Sequence, residues 1–155
     1  MRFFILILAF LLPLIADEIV IDAQELIADE KSKVTQLKGN VQITRLHDKL
    51  NCDEAYIFLD KNNKPTKMQA LGNVKFWLTL ENNRKIQGKA NKLLYFPNTQ
   101  EYQIIGSAFV EEPAKKNEVK GEKIIIRYKE GYINIVGDDK APARLIFKLD
   151  KEAKK

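Results

Sequence analysis

Acidic side chains stand next to each other at several places in the chain, among them Asp29-Glu30, Asp53-Glu54, Glu111-Glu112 and Asp138-Asp139. Two carboxylates can share acid and base work on one substrate only when both side chains reach the same point. Neighbouring residues of a β-strand point to opposite faces, so adjacent carboxylates rarely meet in this way. We therefore interpret the four pairs as turn and surface residues.

Other residues that act as nucleophiles, bases or metal ligands are scarce. His47 is the only histidine and Cys52 the only cysteine, which excludes metal triads built from several histidines, cysteine zinc clusters and an intrachain disulfide. The sequence also lacks a Gly-rich phosphate-binding loop of the Walker type. His47 stands beside Asp48 in a polar stretch and is predicted to be exposed. The sequence thus predicts a binding protein that is not an enzyme and uses no cofactor or metal.

The first residues have the layout of a signal peptide. Arg2 precedes an apolar run from Phe3 to Ile15, which ends at Ala16 before an acidic segment. A membrane-spanning helix needs about 20 apolar residues, so this run is short for an anchor. We predict cleavage near Ala16 and secretion of the rest. The predicted organisation is a signal peptide over residues 1–16, one β-domain over 17–149 and a charged tail over 150–155.

The charge of the chain is mildly basic. The net charge is +5, and removal of Arg2 with the leader would reduce it by one. Many lysines lie near the end of the chain and at Lys115 and Lys116, which is typical of a solvated surface. Aromatic residues are not interleaved with a basic stripe, as they are in many proteins that bind nucleic acids. The pattern therefore argues against nucleic acid as a partner.

A glycine flanked by apolar residues recurs along the chain, and a second small residue precedes each copy. Repeats of this length mark supersecondary units that stack on their neighbours. A glycine within a strand pattern is typical of a bend or bulge. We predict four repeats of about 33 residues that curl one long sheet, or two facing sheets, around an apolar interior. The glycines are Gly39, Gly72, Gly106 and Gly137, with spacings of 33, 34 and 31, and the preceding residues are Ala23, Cys52, Gly88 and Gly121.

The segments between these glycines are rich in β-branched and aromatic residues, which favours strands over helices. Examples are residues 18–22, 40–44, 92–96 and 122–128. Turn signals separate the segments at 60–65, 81–84, 97–99, 115–117, 129–131 and 140–142. Strands of about five to eight residues joined by such turns predict an all-β fold, either a meander or a jelly roll.

Several short motifs follow one another behind the predicted leader. They are Ile19-Val-Ile21, Ala23-Gln-Glu-Leu26, Gly39-Asn40-Val41, Cys52-Asp53-Glu54 and Gly121-Glu122-Lys123. Their order and spacing resemble the OstA-like family of periplasmic lipopolysaccharide-transport proteins, although Cys52 and Glu54 depart from that family's Ala-Asp-Lys. The resemblance implies a twisted antiparallel β-jelly roll that is open at both ends. It also implies a periplasmic protein that relays lipopolysaccharide from the inner to the outer membrane.

Alternation along the strands predicts one apolar, inward-pointing face. Its expected members are Ile19, Ile21, Val41, Ile43, Ile57, Val74, Phe76, Leu93, Tyr95, Ala108, Val110, Ile124, Ile126 and Tyr128. The resemblance implies a groove for the acyl chains of lipid A, with Ile19, Ile21, Trp77 and Tyr95 at contact positions. The alternative is a dry core, because a small β-sandwich uses the same residue pattern.

Lipid A also carries phosphates, which basic residues near a groove mouth would attract. The candidates are Arg45, Lys49, Lys75 and Arg84. The alternative is that these residues only keep the surface soluble, as most charged side chains do.

The first and last strands are predicted to be open edges that pair with neighbouring proteins by β-augmentation. The expected contact residues are Ile19, Val20, Arg144, Leu145, Ile146 and Phe147. The resemblance implies an LptC-like inner-membrane protein at the N-terminal edge and an LptD-like outer-membrane protein at the C-terminal edge. It further implies head-to-tail copies of the chain between them. The alternative for residues 144–148 is an ordinary edge strand that lysine guards against aggregation.

Two other interpretations of the whole chain stay open. Retention of residues 1–16 would make it a membrane-anchored LptC-like relative, and a fragment of the outer-membrane partner would share the fold. A secreted structural β-repeat protein that binds no lipid would show the same strands around a dry core.

Overall fold

The computed structural model describes residues 18–79, 83–127 and 130–149. In these ranges the chain forms ten β-strands and no α-helix, so no described segment is a helix able to cross a bilayer. The predicted leader, Tyr128 and the tail from residue 150 lie outside the described residues. The strands are β1 (Ile19–Asp22), β2 (Glu25–Asp29), β3 (Val34–Arg45), β4 (Asp48–Leu59), β5 (Pro65–Thr79), β6 (Lys85–Phe96), β7 (Glu101–Glu112), β8 (Asn117–Arg127), β9 (Tyr132–Val136) and β10 (Arg144–Ile146).

All pairings in the sheet are antiparallel, and β3 to β8 each pair with the next strand in the sequence. Two short strands share each edge: β1 and β2 both pair with β3, and β9 and β10 both pair with β8. The six central strands have 11 to 15 residues, whereas the sequence pattern predicts five to eight. The prediction is too short because the recurring glycines lie within strands rather than between them.

Three of the recurring glycines begin a β-bulge. Gly39, Gly72 and Gly106 have φ values of 81°, 80° and 86°, and the residue after each glycine also has a positive φ. The register shifts at each of these points, as expected when extra residues are inserted into one strand. Glycine is required at residue 72, because a Cβ atom there would lie 2.5 Å from Oδ2 of Asp53. Gly137 follows the end of β9 without a positive φ, so the structure shows the predicted bend at three of four positions.

The small residues that precede the recurring glycines are predicted to occupy equivalent positions in each repeat, and the strand pairing confirms this in two strands but not in a third. Cys52 lies opposite Val41, and Gly121 lies opposite Ala108. In β6, however, Ala90 rather than Gly88 lies opposite Val74, so the predicted alignment is two residues off in this repeat. Gly88 and Ala90 are both small residues on the same face of β6. The sequence pattern alone therefore cannot show which of them lies opposite Val74, because the bulge in β5 sets that register.

The bulges divide each long strand into two halves, and the sheet into two leaves. The first leaf contains β1, β10 and residues 41–45, 48–52, 74–79, 85–90, 108–112 and 117–121. The second leaf contains β2, β9 and residues 34–38, 54–59, 65–71, 92–96, 101–105 and 123–127. Inward side chains of both leaves form one hydrophobic core, in which Leu37, Val74, Phe76 and Ile124 are almost fully buried.

The structure shows the surroundings of the side chains that could act as bases, nucleophiles or acids. His47 is exposed in the turn between β3 and β4, as predicted. Cys52 is buried in the core, and its burial raises the pKa of the thiol to about 11, so the thiol stays protonated. The interpretation of the acidic pairs as turn and surface residues is wrong for Glu112, which is buried at the end of β7.

Candidate functional site

An apolar cavity of about 410 Å³ lies between the two leaves, on the side of β1 and β3. The register brings its walls together from separate strands. In the first leaf, Ile21 pairs with Ile43, Ile43 with Leu50, and Leu50 with Phe76. The apolar residues of the wall are Ile19, Ile21, Ile43, Leu50, Phe76 and Leu78 from the first leaf, and Ala55, Ile57, Met68, Ala70, Leu93, Tyr95 and Tyr102 from the second.

Two tyrosines form the aromatic part of this wall. Tyr95 and Tyr102 lie opposite each other on β6 and β7, with ring centroids 4.5 Å apart. Burial raises the pKa of the Tyr95 hydroxyl, against a smaller opposing effect of Arg45. Tyr95 is therefore neutral at physiological pH, and the cavity carries no tyrosinate charge from it.

The structure separates the predicted inward residues into two groups. Ile19, Ile21, Ile43, Ile57, Phe76, Leu93 and Tyr95 line the cavity. Val41, Val74, Ala108, Val110 and Ile124 belong to the packed core and do not line the cavity, and Ile126 packs against the core. Phe76 and Leu93 belong to both the core and the cavity wall. Sequence reasoning missed Leu50, Met68, Leu78 and Tyr102 as wall residues. The signal for Leu78 was present, because it stands two residues after Phe76 and so shares its face.

Trp77 differs from the groove candidates above because its side chain does not point inward. Its neighbours Phe76 and Leu78 line the cavity, so Trp77 points to the opposite, outer face of β5. The side chain is 36% exposed, and Nζ of Lys49 lies 5.6 Å from the ring centroid. The prediction that Trp77 points into the groove is therefore wrong.

The four basic candidates do not form one cluster. Arg45 lies at the cavity, beside Asp48. Lys49 also borders the cavity, but its side chain points to the outer face, because Lys49 pairs with Trp77 and its Nζ lies over the Trp77 ring. Lys75 is exposed on β5 between the buried Val74 and Phe76, so it lies on the outer face. Arg84 is bound to a carboxylate at the opposite end of the first leaf, which the sequence pattern does not indicate. Of the four, only the side chain of Arg45 is placed where a ligand in the cavity would meet it.

The contact between Arg84 and Glu112 is bidentate. Nε and Nη2 of Arg84 donate hydrogen bonds of 3.0 and 3.1 Å to the two carboxylate oxygens of Glu112. The Glu112 side chain is only 6% exposed, whereas that of Arg84 is 49% exposed. These hydrogen bonds lower the pKa of Glu112 below its ordinary value of 4.5, against an opposing effect of burial. The pair joins the turn before β6 to the end of β7.

Replacing Arg84 by glutamine should lower the free energy of unfolding at pH 7 by about 1 to 2 kcal/mol, because Glu112 would stay buried without its cation. The pair stabilises the fold fully above the unfolded carboxyl pKa and loses this effect as pH falls through the lower, folded pKa. The difference between wild type and variant should therefore shrink below about pH 4. Urea unfolding at several pH values measures this difference in the free energy of unfolding. Lys85→Gln, with the same charge change nearby, is the control, and equal stability of both variants would contradict the prediction.

The sheet does not close on itself within the described residues, and both predicted edges are present. β1 and β2 form one edge, and β9 and β10 form the other. Val20 is 44% exposed on the first edge, and Leu145 is 57% exposed on the last. The last strand is shorter than predicted, since Phe147 lies beyond the end of β10 and is also exposed.

Comparisons with known proteins agree with this architecture. The crystal structure of LptH from Pseudomonas aeruginosa, described as the LptA homologous periplasmic component of the lipopolysaccharide transport device, matches with a TM-score of 0.70. The match has 18% sequence identity and covers 86% of this chain and 95% of that chain. At this identity it confirms the predicted jelly-roll fold. The chain has no significant match among curated proteins.

The similarity of fold does not by itself assign the chain to a family, but a match to a family model does. The model of the LptA/(LptD N-terminal domain) LPS transport protein matches residues 20–132, from β1 to the start of β9. This range includes the whole cavity wall except Ile19, the three bulges and the six central strands. The predicted resemblance is therefore confirmed, and the chain belongs to the LptA/LptD N-terminal domain family of lipopolysaccharide transport proteins.

Proposed function

We propose that this chain carries lipopolysaccharide across the periplasm, from the inner towards the outer membrane, with lipid A acyl chains in the cavity between the leaves. The observation that supports this proposal best is the apolar wall itself, which combines side chains of both leaves around about 410 Å³ of space. A protein with a dry core would fill this volume with its own side chains. Family membership supports the same cargo.

The energetics of lipid transfer explain why the wall must be apolar. Moving one acyl chain from a bilayer into water costs about 0.8 kcal/mol per CH2, or on the order of 10 kcal/mol for a chain of roughly twelve carbons. The carrier must offset most of this cost by covering the chain. Ile43, Leu50 and Leu78 are half-buried around the cavity, so their exposed parts are available to hydrocarbon. The function proposed is binding and transfer without a chemical step, and it uses no cofactor.

The charged residues at the cavity suit the head group of such a lipid. The guanidinium of Arg45 can bind a phosphate through two hydrogen bonds. Asp48 is partly engaged elsewhere, since its Oδ1 accepts a hydrogen bond of 2.8 Å from the backbone N–H of Thr79. We assign the phosphate contact to Arg45, and not to Lys49, Lys75 or Arg84.

Relay also requires that the lipid leave one protein for the next without entering water. Each leaf has eight strands in antiparallel order, so its first and last strands run in opposite directions. Copies stacked head to tail would therefore continue the antiparallel pattern across the junction. We propose this arrangement, with an LptC-like protein at the edge of β1 and β2 and an LptD-like protein at the edge of β9 and β10.

Photo-crosslinking tests the location of the lipid. A photoreactive phenylalanine analogue at Ile21 or Tyr95, in cells, should give adducts with lipopolysaccharide, because both residues line the cavity. The same analogue at Trp77 should give none, since Trp77 lies on the outer face of β5. Adducts are detected as a protein species of higher mass that antibodies to lipopolysaccharide recognise. Absence of adducts at both cavity positions, or equal labelling at Trp77, would overturn the proposal.

A further inference from the structure

Three side chains that the sequence predicts at the lipid site lie together on the outer face of the first leaf. Lys49 on β4 pairs with Trp77 on β5, and Lys75 stands two residues before Trp77 on the same face. Lys89 on β6 pairs with Lys75 and so lies diagonally beside the indole. Lys49, Lys75, Trp77 and Lys89 thus form one patch across three adjacent strands, the Trp77 patch.

The Trp77 patch is exposed and positively charged. All three lysines are exposed, and the indole is 36% exposed, with Nζ of Lys49 at 5.6 Å from its ring centroid. None of the three ammonium groups forms a salt bridge with a described carboxylate. The other described outward residues around Trp77 carry no carboxylate either; they are Asn51, Thr79, Lys85 and Gln87.

The pairing of Lys75 with Lys89 places two like charges directly across an antiparallel strand pair, which destabilises the pair. An anion bound between the two ammonium groups would remove this repulsion. On the next strand, β7, the Glu111 carboxylate is engaged elsewhere, since its Oε1 accepts a hydrogen bond of 2.8 Å from Nε2 of Gln87. The two lysines are therefore available to an anion from outside the described chain.

The combination of residue types indicates which anion fits. Tryptophan is enriched where bilayers meet water, because its ring is apolar and its N–H is polar. Lysine can lay its apolar stem along such a surface and hold its ammonium group at the phosphates. Each lysine close to an anionic bilayer adds to the attraction. A small free anion would use the lysines and leave the indole without a role. The patch therefore suits a surface of lipid head groups.

We propose that the Trp77 patch docks the protein on the surface of a bilayer that contains anionic phospholipid. The indole lies at the level of the head groups, and Lys49, Lys75 and Lys89 bind their phosphates. The inference goes beyond the carrier role and does not require it. Its partner is phospholipid and not the cargo, so it agrees with the absence of lipopolysaccharide adducts expected at Trp77.

The position of the patch relates docking to the cavity. Trp77 pairs with Lys49, and the residue before it on β4, Asp48, pairs with Arg45 at the cavity. The patch and Arg45 therefore lie at the same end of the first leaf, on opposite faces of it. A protein docked through the patch would hold this end of the cavity beside the bilayer.

The fluorescence of Trp77 tests the proposal directly, because Trp77 is the only tryptophan. Vesicles that mix phosphatidylglycerol with phosphatidylcholine should shift its emission to shorter wavelength, and lipids brominated near the head groups should quench it. Vesicles of phosphatidylcholine alone should do neither. Binding should weaken with added salt, since salt screens the charges. Unchanged emission with the anionic vesicles, or an equal change with both kinds of vesicle, would overturn the proposal.

Charge reversal at the paired lysines tests the contacts. Lys75→Glu with Lys89→Glu should bind the anionic vesicles at least about tenfold more weakly in co-sedimentation. Lys75→Arg with Lys89→Arg keeps the charges and should bind as wild type does. Lys61→Glu with Lys64→Glu makes the same change of charge in the exposed loop before β5, at the opposite end of this strand, and should retain binding. Circular dichroism confirms that each variant folds.

The remaining outcomes identify other causes of binding. Equal weakening by both charge reversals would show attraction by net charge alone and reject the patch. Release of the bound protein by inorganic phosphate at constant ionic strength would indicate a site for phosphate ions rather than for a bilayer. The vesicles contain no lipopolysaccharide, so a failure of the carrier role would leave these results readable.

Discussion

Replacing Ile43 by glutamate should weaken the binding of lipopolysaccharide at least tenfold, which corresponds to about 1.4 kcal/mol. Ile43 lines the cavity and is half-buried, so a longer, charged side chain can extend into the cavity while the strand stays paired. The carboxylate would have to lose its water wherever an acyl chain covers it. It would also repel a phosphate held by Arg45. Titration with fluorescently labelled lipopolysaccharide measures the change in affinity.

Thr44→Glu is the matched control for this change. Thr44 follows Ile43 on β3, pairs with Val20 and Lys49, and faces away from the cavity. It should leave lipid affinity within about twofold of wild type, since surface changes are usually small. Equal loss of affinity in both variants, or no loss in Ile43→Glu with the fold intact, would place the lipid elsewhere.

Gly72→Ala should lower the free energy of unfolding by about 2 to 3 kcal/mol. The residue has φ of +80°, where an L side chain costs about 1 to 2 kcal/mol. The new Cβ would also displace the Asp53 carboxylate, which accepts a hydrogen bond of 2.9 Å from Nδ2 of Asn73. Urea unfolding followed by the fluorescence of Trp77, the only tryptophan, gives the stability directly.

A second glycine separates the two parts of this effect. Gly131 also has a positive φ, of 64°, but a Cβ there would meet nothing within 4 Å. Gly131→Ala should therefore show the backbone cost alone, about 1 to 2 kcal/mol. Adding Asp53→Ala to Gly72→Ala should recover part of the difference, because the contact is removed. If both glycine variants lose the same stability, the contact with Asp53 has no energetic importance.

Much of the architecture follows from local patterns in the sequence. The recurring glycines and the alternating apolar residues predict a curved antiparallel sheet, and the turn signals at 60–65, 97–99 and 115–117 coincide with turns among the described residues. The lengths of the strands do not follow, because Gly72 ends a strand in the pattern but only bends one in the structure. Local residue preferences cannot distinguish a bulge from a turn when pairing continues on both sides.

The residues of the cavity wall can be predicted from the sequence only where inward and outward side chains alternate without interruption along a strand. Phe76 and Tyr95 line the cavity as expected, whereas Val74 has the same pattern and does not line it. Val74 stands two residues after Gly72, nearer to the line of bulges than Phe76 does. The partnership of Arg84 with Glu112 is likewise a consequence of pairing between β6 and β7, since the residues are 28 positions apart.

The consecutive pairing of β3 to β8 also bears on how the chain folds. Each of these strands meets a partner one turn away in the sequence, so contact order is low for a protein made of strands. Strands can therefore add in chain order, each closing only a short loop. Until β9 and β10 are paired, the newest strand is an open edge beside an apolar face. The chain is thus most exposed to aggregation just before its last strands pair.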